Sequence, residues 1–98
     1  MPIRGKKQRF TDTNISNAPG CDGVYGIYKY NQLVYIGKGE GKNGIKGRLQ
    51  AAKRDKRSKG ATSFQVERCK DAAWREEQLL RQYKKLHGKL PRYNDKIG

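Results

Sequence analysis

The sequence predicts a small α/β domain of the α+β kind: a three-stranded antiparallel sheet flanked by helices, in the order ββαβα. Three observations carry that prediction. Residues 21–37 hold two runs rich in Val, Ile and Tyr, split by a polar pair. Apolar residues recur at helical spacing in two later stretches, one starting at Ile45 and one around Leu79-Leu80. Between those stretches, Thr62 to Cys69 alternates, with Phe64 and Val66 on one side. At 98 residues the chain has room for one such domain and for little core beyond it.

Each element has its own signal. Met1 to Phe10 is basic and aperiodic and reads as a flexible arm. Thr11 to Ala18 is expected to form a short helix, capped by Thr11 or Thr13, anchored by Ile15 and ended by Pro19-Gly20. Residues 1–20 are thus read as arm plus short helix, and residues 21–98 as the domain itself. Cys21 to Tyr30 gives the first strand, Asn31-Gln32 the turn and Leu33 to Gly37 the second strand. Lys38 to Gly44 reads KGEGKNG, a basic loop broken by three glycines. Ile45 to about Lys56 follows as a helix, with Ile45, Leu49 and Ala52 on one face. Asp55 to Gly60 is a charged loop, and the strand from Thr62 comes next. Asp71 caps a long helix from Ala72 to His87, which Gly88 stops. Leu90 to Asn94 is an extended tail.

Charge narrows the partners. Lys and Arg number 23 against 9 Asp and Glu, a formal net charge of +14. That much like charge repels itself unless a polyanion neutralises it, and nucleic acid is the first candidate. An acidic membrane surface is a weaker one. No segment approaches the ~20 apolar residues of a transmembrane helix. Met1-Pro2-Ile3-Arg4 shows no signal-peptide pattern. Cys21 and Cys69 lack CxxC spacing, and His87 is the single histidine, which argues against a zinc site. Two free thiols suit a reducing compartment, so a cytoplasmic, nucleoid-associated protein is expected.

Candidate site residues follow from helical phase and strand parity. Ala72, Ala73, Leu79, Leu80, Tyr83 and Leu86 mark one stripe of the last helix. Turning ~100° per residue puts Glu76 near its middle and Glu77 well off it. An inward carboxylate is costly unless paired or bound to a cation. It either pairs with an arginine of the core or serves as a metal ligand or general base.

Tyr28 and Tyr30 suit ordinary strand packing. Tyr25 and Tyr35 each sit close to a glycine, where a backbone or ligand can approach. A strict two-residue turn at Asn31-Gln32 would put those two tyrosines on opposite faces. An odd loop or a bulge would put them together, and we expect one, because Gln tolerates positive φ poorly. Arg48, one turn into its helix, and Lys38, just after Gly37, are the near cations suited to phosphate.

Taken together, these residues resemble the GIY-YIG nuclease superfamily. The GIY element matches Gly23-Val24-Tyr25 rather than the literal Gly26-Ile27-Tyr28, because the family places its two tyrosines about ten apart. The YIG element is Tyr35-Ile36-Gly37, Arg48-Leu49 fits the arginine of the first helix, and Glu76 fits the metal-binding glutamate. Pro91-Arg92-Tyr93-Asn94 fits the terminal PxYN element. The similarity runs from about Cys21 to Asn94. It is greatest to short stand-alone prokaryotic members, related to the N-terminal nuclease domain of the excision-repair members, whose tails resemble His87 to Asp95 here.

The resemblance implies a GIY-YIG endonuclease fold and a DNA-repair type of hydrolase, acting on structured or damaged DNA as a monomer or weak dimer. One divalent cation, Mg²⁺ or Mn²⁺, would be held by Glu76. Tyr25 would activate water, helped by Lys38 and Arg48, and Arg48 would stabilise charge on the phosphate. Tyr35 would position water or phosphate. Lys38, Asn94 and Tyr28 would complete the substrate contacts. Many members carry a His or Tyr one turn after the arginine, where this chain has Ala52. That departure implies an alternative, a weak or inactive nucleic-acid-binding module on the same fold.

Overall fold

A computed structural model describes residues 3–55 and 59–94. The expected helix end at Lys56, the middle of the 55–60 loop, residues 1–2 of the arm and Asp95 lie outside the described residues. The elements are β1 (Gln8–Arg9), α1 (Asp12–Ser16), β2 (Gly23–Lys29), β3 (Gln32–Gly39), α2 (Gly44–Arg54), β4 (Ser63–Arg68) and α3 (Ala72–His87). The strands form one antiparallel sheet in the order β1-β4-β2-β3. The α+β architecture is as expected, but the sheet has four strands rather than three.

The extra strand comes from the stretch read as a flexible arm. Gln8 and Arg9 pair with Phe64 and Ser63 of β4. Ile3 is buried with Val24, Ile36, Leu79 and Leu80, and Phe10 with Ile15, Phe64 and Leu49. Gly5 lets the arm close in, since a β-carbon there would collide with the Val66 carbonyl. Two lone apolar anchors seven residues apart create no periodicity, so the pattern could not reveal them.

The sheet has two covered faces. Tyr25 and Ile27 of β2 pack with α1 and α2 residues Ile15, Ile45 and Leu49. Val24 and Ile36 pack with Leu79 and Leu80 of α3 on the other face. β3 is an edge strand, and both α2 and α3 pack against it.

The hairpin contains the expected irregularity, at a different place. Tyr25 pairs with Gly37 and Ile27 with Tyr35, but Tyr28 pairs with Leu33, which leaves Val34 as the extra residue. The bulge turns Tyr35 to the same face as Tyr25. The turn itself is Tyr30-Asn31, with Lys29 opposite Gln32, one residue earlier than Asn31-Gln32. Tyr30 has a φ of +56°, uncommon for a bulky side chain, and its N–H donates to Thr62 Oγ1 at 2.7 Å. β3 also runs two residues past Gly37, because Lys38 and Gly39 still pair with Val24 and Gly23.

The helices follow their caps. Thr11 Oγ1 accepts from the Asn14 N–H at 3.2 Å, and Asp71 Oδ1 from the Trp74 N–H at 3.1 Å. Gly88 ends α3 with a φ of +77°. α2 starts differently: its first N–H groups, of Ile45 and Lys46, donate to the carbonyls of Cys21 and Pro19 at 3.0 and 2.9 Å. This ties α2 to the segment entering β2 and sets the direction in which Arg48 leaves the helix. The stripe on α3 holds in its centre, where Leu79 and Leu80 are buried, and fails at its ends, where Ala73 and Leu86 are exposed.

Candidate active site

The site is built on the β2–β3 hairpin. The Tyr25 and Tyr35 rings lie 6.0 Å apart between centroids, tilted by 39°. Tyr25 is nearly fully buried and Tyr35 is partly exposed. Gly37 makes this possible, since a β-carbon there would lie 2.5 Å from the Tyr25 hydroxyl and 2.7 Å from the Tyr35 ring. Burial pushes the Tyr25 hydroxyl well above its ordinary range, and the nearby Tyr35 adds to the shift. The Arg48 guanidinium, close to the same hydroxyl, pulls in the other direction and is outweighed. Burial therefore outweighs the pull of Arg48 on this phenol.

Lys38 acts on Glu76 instead. That carboxylate is half-buried on α3 and its pKa is raised by burial, against the pull of Lys38 and Arg48 and with a smaller push from Glu40. Its neighbours on the helix are accounted for elsewhere: Glu77 pairs with Arg81 at 2.9 Å on the surface. The core ion pair of this helix is Arg75 with Glu67 of β4, at 2.7 Å. Among the described residues Glu76 makes no ion pair. Of the two readings left open by helical phase, pairing with a core arginine is not what the structure contains.

Tyr25, Tyr35, Arg48, Ala52, Asp55 and Tyr93 line a cavity of about 220 Å³ on the α2 side of the hairpin. On the α2 wall Ala52 lies between Arg48 and Asp55 and puts no polar group at its own position. Across the cavity stands the Tyr93 hydroxyl, which accepts from Lys29 Nζ at 2.7 Å. This hydrogen bond holds the partly buried Tyr93 phenol below its ordinary pKa.

The remaining candidates are Tyr28, Asn94 and Lys38. Tyr28 is on the opposite face of the sheet, where its hydroxyl donates to Gln65 Oε1 at 2.6 Å and Lys7 Nζ lies 4.1 Å from its ring centroid. Strand alternation separates it from Tyr25, three positions away. Asn94 holds neighbouring backbone of β3 in place. Its side-chain amide binds the Ile36 N–H and C=O at 2.9 Å each, while the Tyr93 N–H donates to the Val34 carbonyl at 2.9 Å. The tail thus seals the outer edge of β3. Lys38 stands at the site, with its ammonium 3.5 Å from Glu40.

Sequence reasoning missed Lys29 and Tyr93 as site residues. Tyr93 lay inside a noted motif, but nothing in the spacing joins residue 93 to residue 29. That contact exists because the tail runs back along β3, which no local pattern encodes. Comparison of the chain with protein-family models, with curated proteins and with solved structures returns no match.

Proposed function

We propose that the chain is a metal-dependent DNA endonuclease of GIY-YIG type, hydrolysing a phosphodiester bond. One observation carries the reading: Tyr25, Tyr35 and Arg48 line one cavity, and the Arg48 charge also bears on the Glu76 carboxylate. A cation near both a phenol and a carboxylate, drawn from three separate elements, is an arrangement suited to a phosphate. The net charge of +14 supplies the polyanion affinity. Helices on both faces, each packed against β3, support a fold of GIY-YIG type.

The residues fit one hard divalent cation, Mg²⁺ or Mn²⁺. Glu76 is half-buried and carries no ion pair among the described residues, and Glu40 adds negative charge beside it. A single carboxylate completed by waters and substrate oxygens is a common way to bind Mg²⁺. Glu76 would hold the cation, which would polarise the phosphate and stabilise the leaving oxygen.

The chain's own groups do the rest. Arg48 neutralises the non-bridging oxygens of the phosphate as they gain charge. The oxygen of Tyr25 accepts a hydrogen bond from the attacking water. As the water oxygen bonds to phosphorus and a P–O ester bond breaks, the water proton passes to Tyr25. Tyr25 gives up its own proton towards Tyr35, whose partly exposed ring leads to solvent. A buried, protonated phenol suits such a relay better than it suits a standing phenolate. Lys38, whose charge bears on Glu76, steers the strand.

A second reading has its own support. Ala52 brings no polar group to the cavity one turn after Arg48, and burial opposes ionisation of Tyr25. Both favour a weak or inactive binding module. Plasmid nicking with and without Mg²⁺ or Mn²⁺ separates the two, with Glu76→Ala and Tyr25→Phe beside the wild type. Loss of nicking in both variants is expected, and binding without nicking by the wild type would select the second reading. If the wild type nicks and neither variant changes it, the catalytic assignment fails.

A further inference from the structure

A second concave surface lies on the other side of the hairpin and takes no part in the chemistry above. It is a groove of about 890 Å³ between the C-terminal half of α3 and the β2–β3 turn. Two of the large apolar side chains that the described residues leave most open stand at its rim: Tyr30, 80% exposed, and Leu86, 76% exposed. Tyr83 and His87 line it as a pair of rings 4.2 Å apart. Lys29 and Lys89 are its charged members, and among the described residues no carboxylate lines it.

We propose that this groove binds a single strand of nucleic acid, with bases stacked on Tyr30 and on the Tyr83–His87 pair and phosphates at Lys29 and Lys89. Flat rings interleaved with cations are what an unpaired strand requires, because every base has a π-face and every linkage an anion. A duplex keeps its bases stacked inside and has no use for exposed rings. Charge excludes a basic partner, and the chain's own +14 disfavours a second copy seated here.

The groove also connects to the tyrosine cavity. Lys29 lines the groove and donates to the Tyr93 hydroxyl, which lines the cavity. A strand in the groove would pass its backbone over Lys29 towards Arg48. If the chain cuts DNA, its preferred substrate would then carry an unpaired segment beside the scissile bond. The binding claim itself does not rest on hydrolysis.

Tyr30 gives a clean test. It is exposed, and its positive φ is better tolerated by Asn, so Tyr30→Asn removes the ring without strain. Fluorescence anisotropy with labelled oligo(dT) and oligo(U) of about 12 nucleotides, and with a duplex of equal length, is run in EDTA so that cleavage plays no part. Tyr30→Asn should weaken single-strand binding about fivefold or more and leave duplex binding unchanged. Tyr30→Phe should bind as wild type does, as should Trp74→Ala, which removes an exposed ring outside the groove. Tighter binding of oligo(U) than oligo(dT) would support the groove with RNA as its ligand. Equal losses for single strand and duplex, or no loss at all, would overturn the proposal. So would a wild-type dimer in gel filtration that Tyr30→Asn dissolves, since a second copy would then occupy the groove. Because no metal is present, failure here is distinct from failure of the nicking assay.

Discussion

Gly37 stands directly across the hairpin from Tyr25, and a β-carbon at Gly37 would lie 2.5 Å from the Tyr25 hydroxyl. The atom it would meet ends a rigid ring that is buried to 2% exposure, so the ring cannot swing aside cheaply. Gly37→Ala should therefore lower stability by about 1–3 kcal/mol, the usual cost of overpacking. It should also move Tyr25 relative to Arg48 and reduce nicking by about a hundredfold, as small misplacements of reacting groups do. Chemical denaturation and plasmid nicking check the two parts. An unchanged denaturation midpoint would mean that the strand shifts freely and that Gly37 is not what keeps the tyrosines together.

Glu76 offers a test in which the site and a structural ion pair predict opposite signs. Its folded pKa is raised above the unfolded value, chiefly by burial. The folded state then binds the proton more readily, so stability falls as pH rises from the ordinary carboxylate range through the raised value. Above that window the penalty is fully present. Glu76→Gln removes it, and near neutral pH the variant should melt at or above the wild-type temperature while losing metal-dependent nicking. A marked drop in melting temperature would show that Glu76 holds the fold together through a partner.

These predictions draw on signals of unequal origin. Helical features were legible because they are local: Asp71 and Gly88 frame α3, Thr11 starts α1, and a rotation of ~100° per residue singles out Glu76. The shared face of Tyr25 and Tyr35 was legible as parity, since a polar turn of poor type requires an extra residue somewhere. That this residue is Val34 was not, because Tyr30 adopts a positive φ that its side chain gives no reason to expect. The arm and the tail were illegible for one common reason. Ile3, Phe10, Tyr93 and Asn94 each have a partner more than fifty residues away, and a single anchor leaves no period to read.

Asn94 is expected to matter through β3 and not through substrate. Its amide replaces a missing neighbouring strand, binding both backbone groups of Ile36. Asn94→Ala leaves those groups without this partner at the strand edge, next to Tyr35 and Gly37. Two neutral hydrogen bonds at about 0.5–1.5 kcal/mol each predict a loss of about 1–3 kcal/mol, read from the urea midpoint at unchanged slope. Nicking should fall through kcat, with KM for plasmid little altered. A rise in KM alone, at unchanged stability, would return Asn94 to the substrate contacts.

The Lys29–Tyr93 contact can be read spectroscopically and needs no activity. Lys29 Nζ donates to the Tyr93 hydroxyl at 2.7 Å and favours its phenolate, which lowers the pKa of Tyr93. Burial raises those of Tyr25 and Tyr28. In an alkaline titration followed by phenolate absorbance, Tyr93 should therefore ionise well before Tyr25. Tyr93→Phe should delete this step, and Lys29→Gln should move it upward toward the ordinary tyrosine value of about 10. Because the folded pKa is depressed, the contact adds stability as pH rises through that value and reaches its full effect above the unfolded one; acidification removes it. Tyr93 is only partly buried, so salt should weaken the shift. A titration that Lys29→Gln leaves unmoved would show that the tail does not hold Tyr93 against Lys29, and would cut the link between the cavity and the groove.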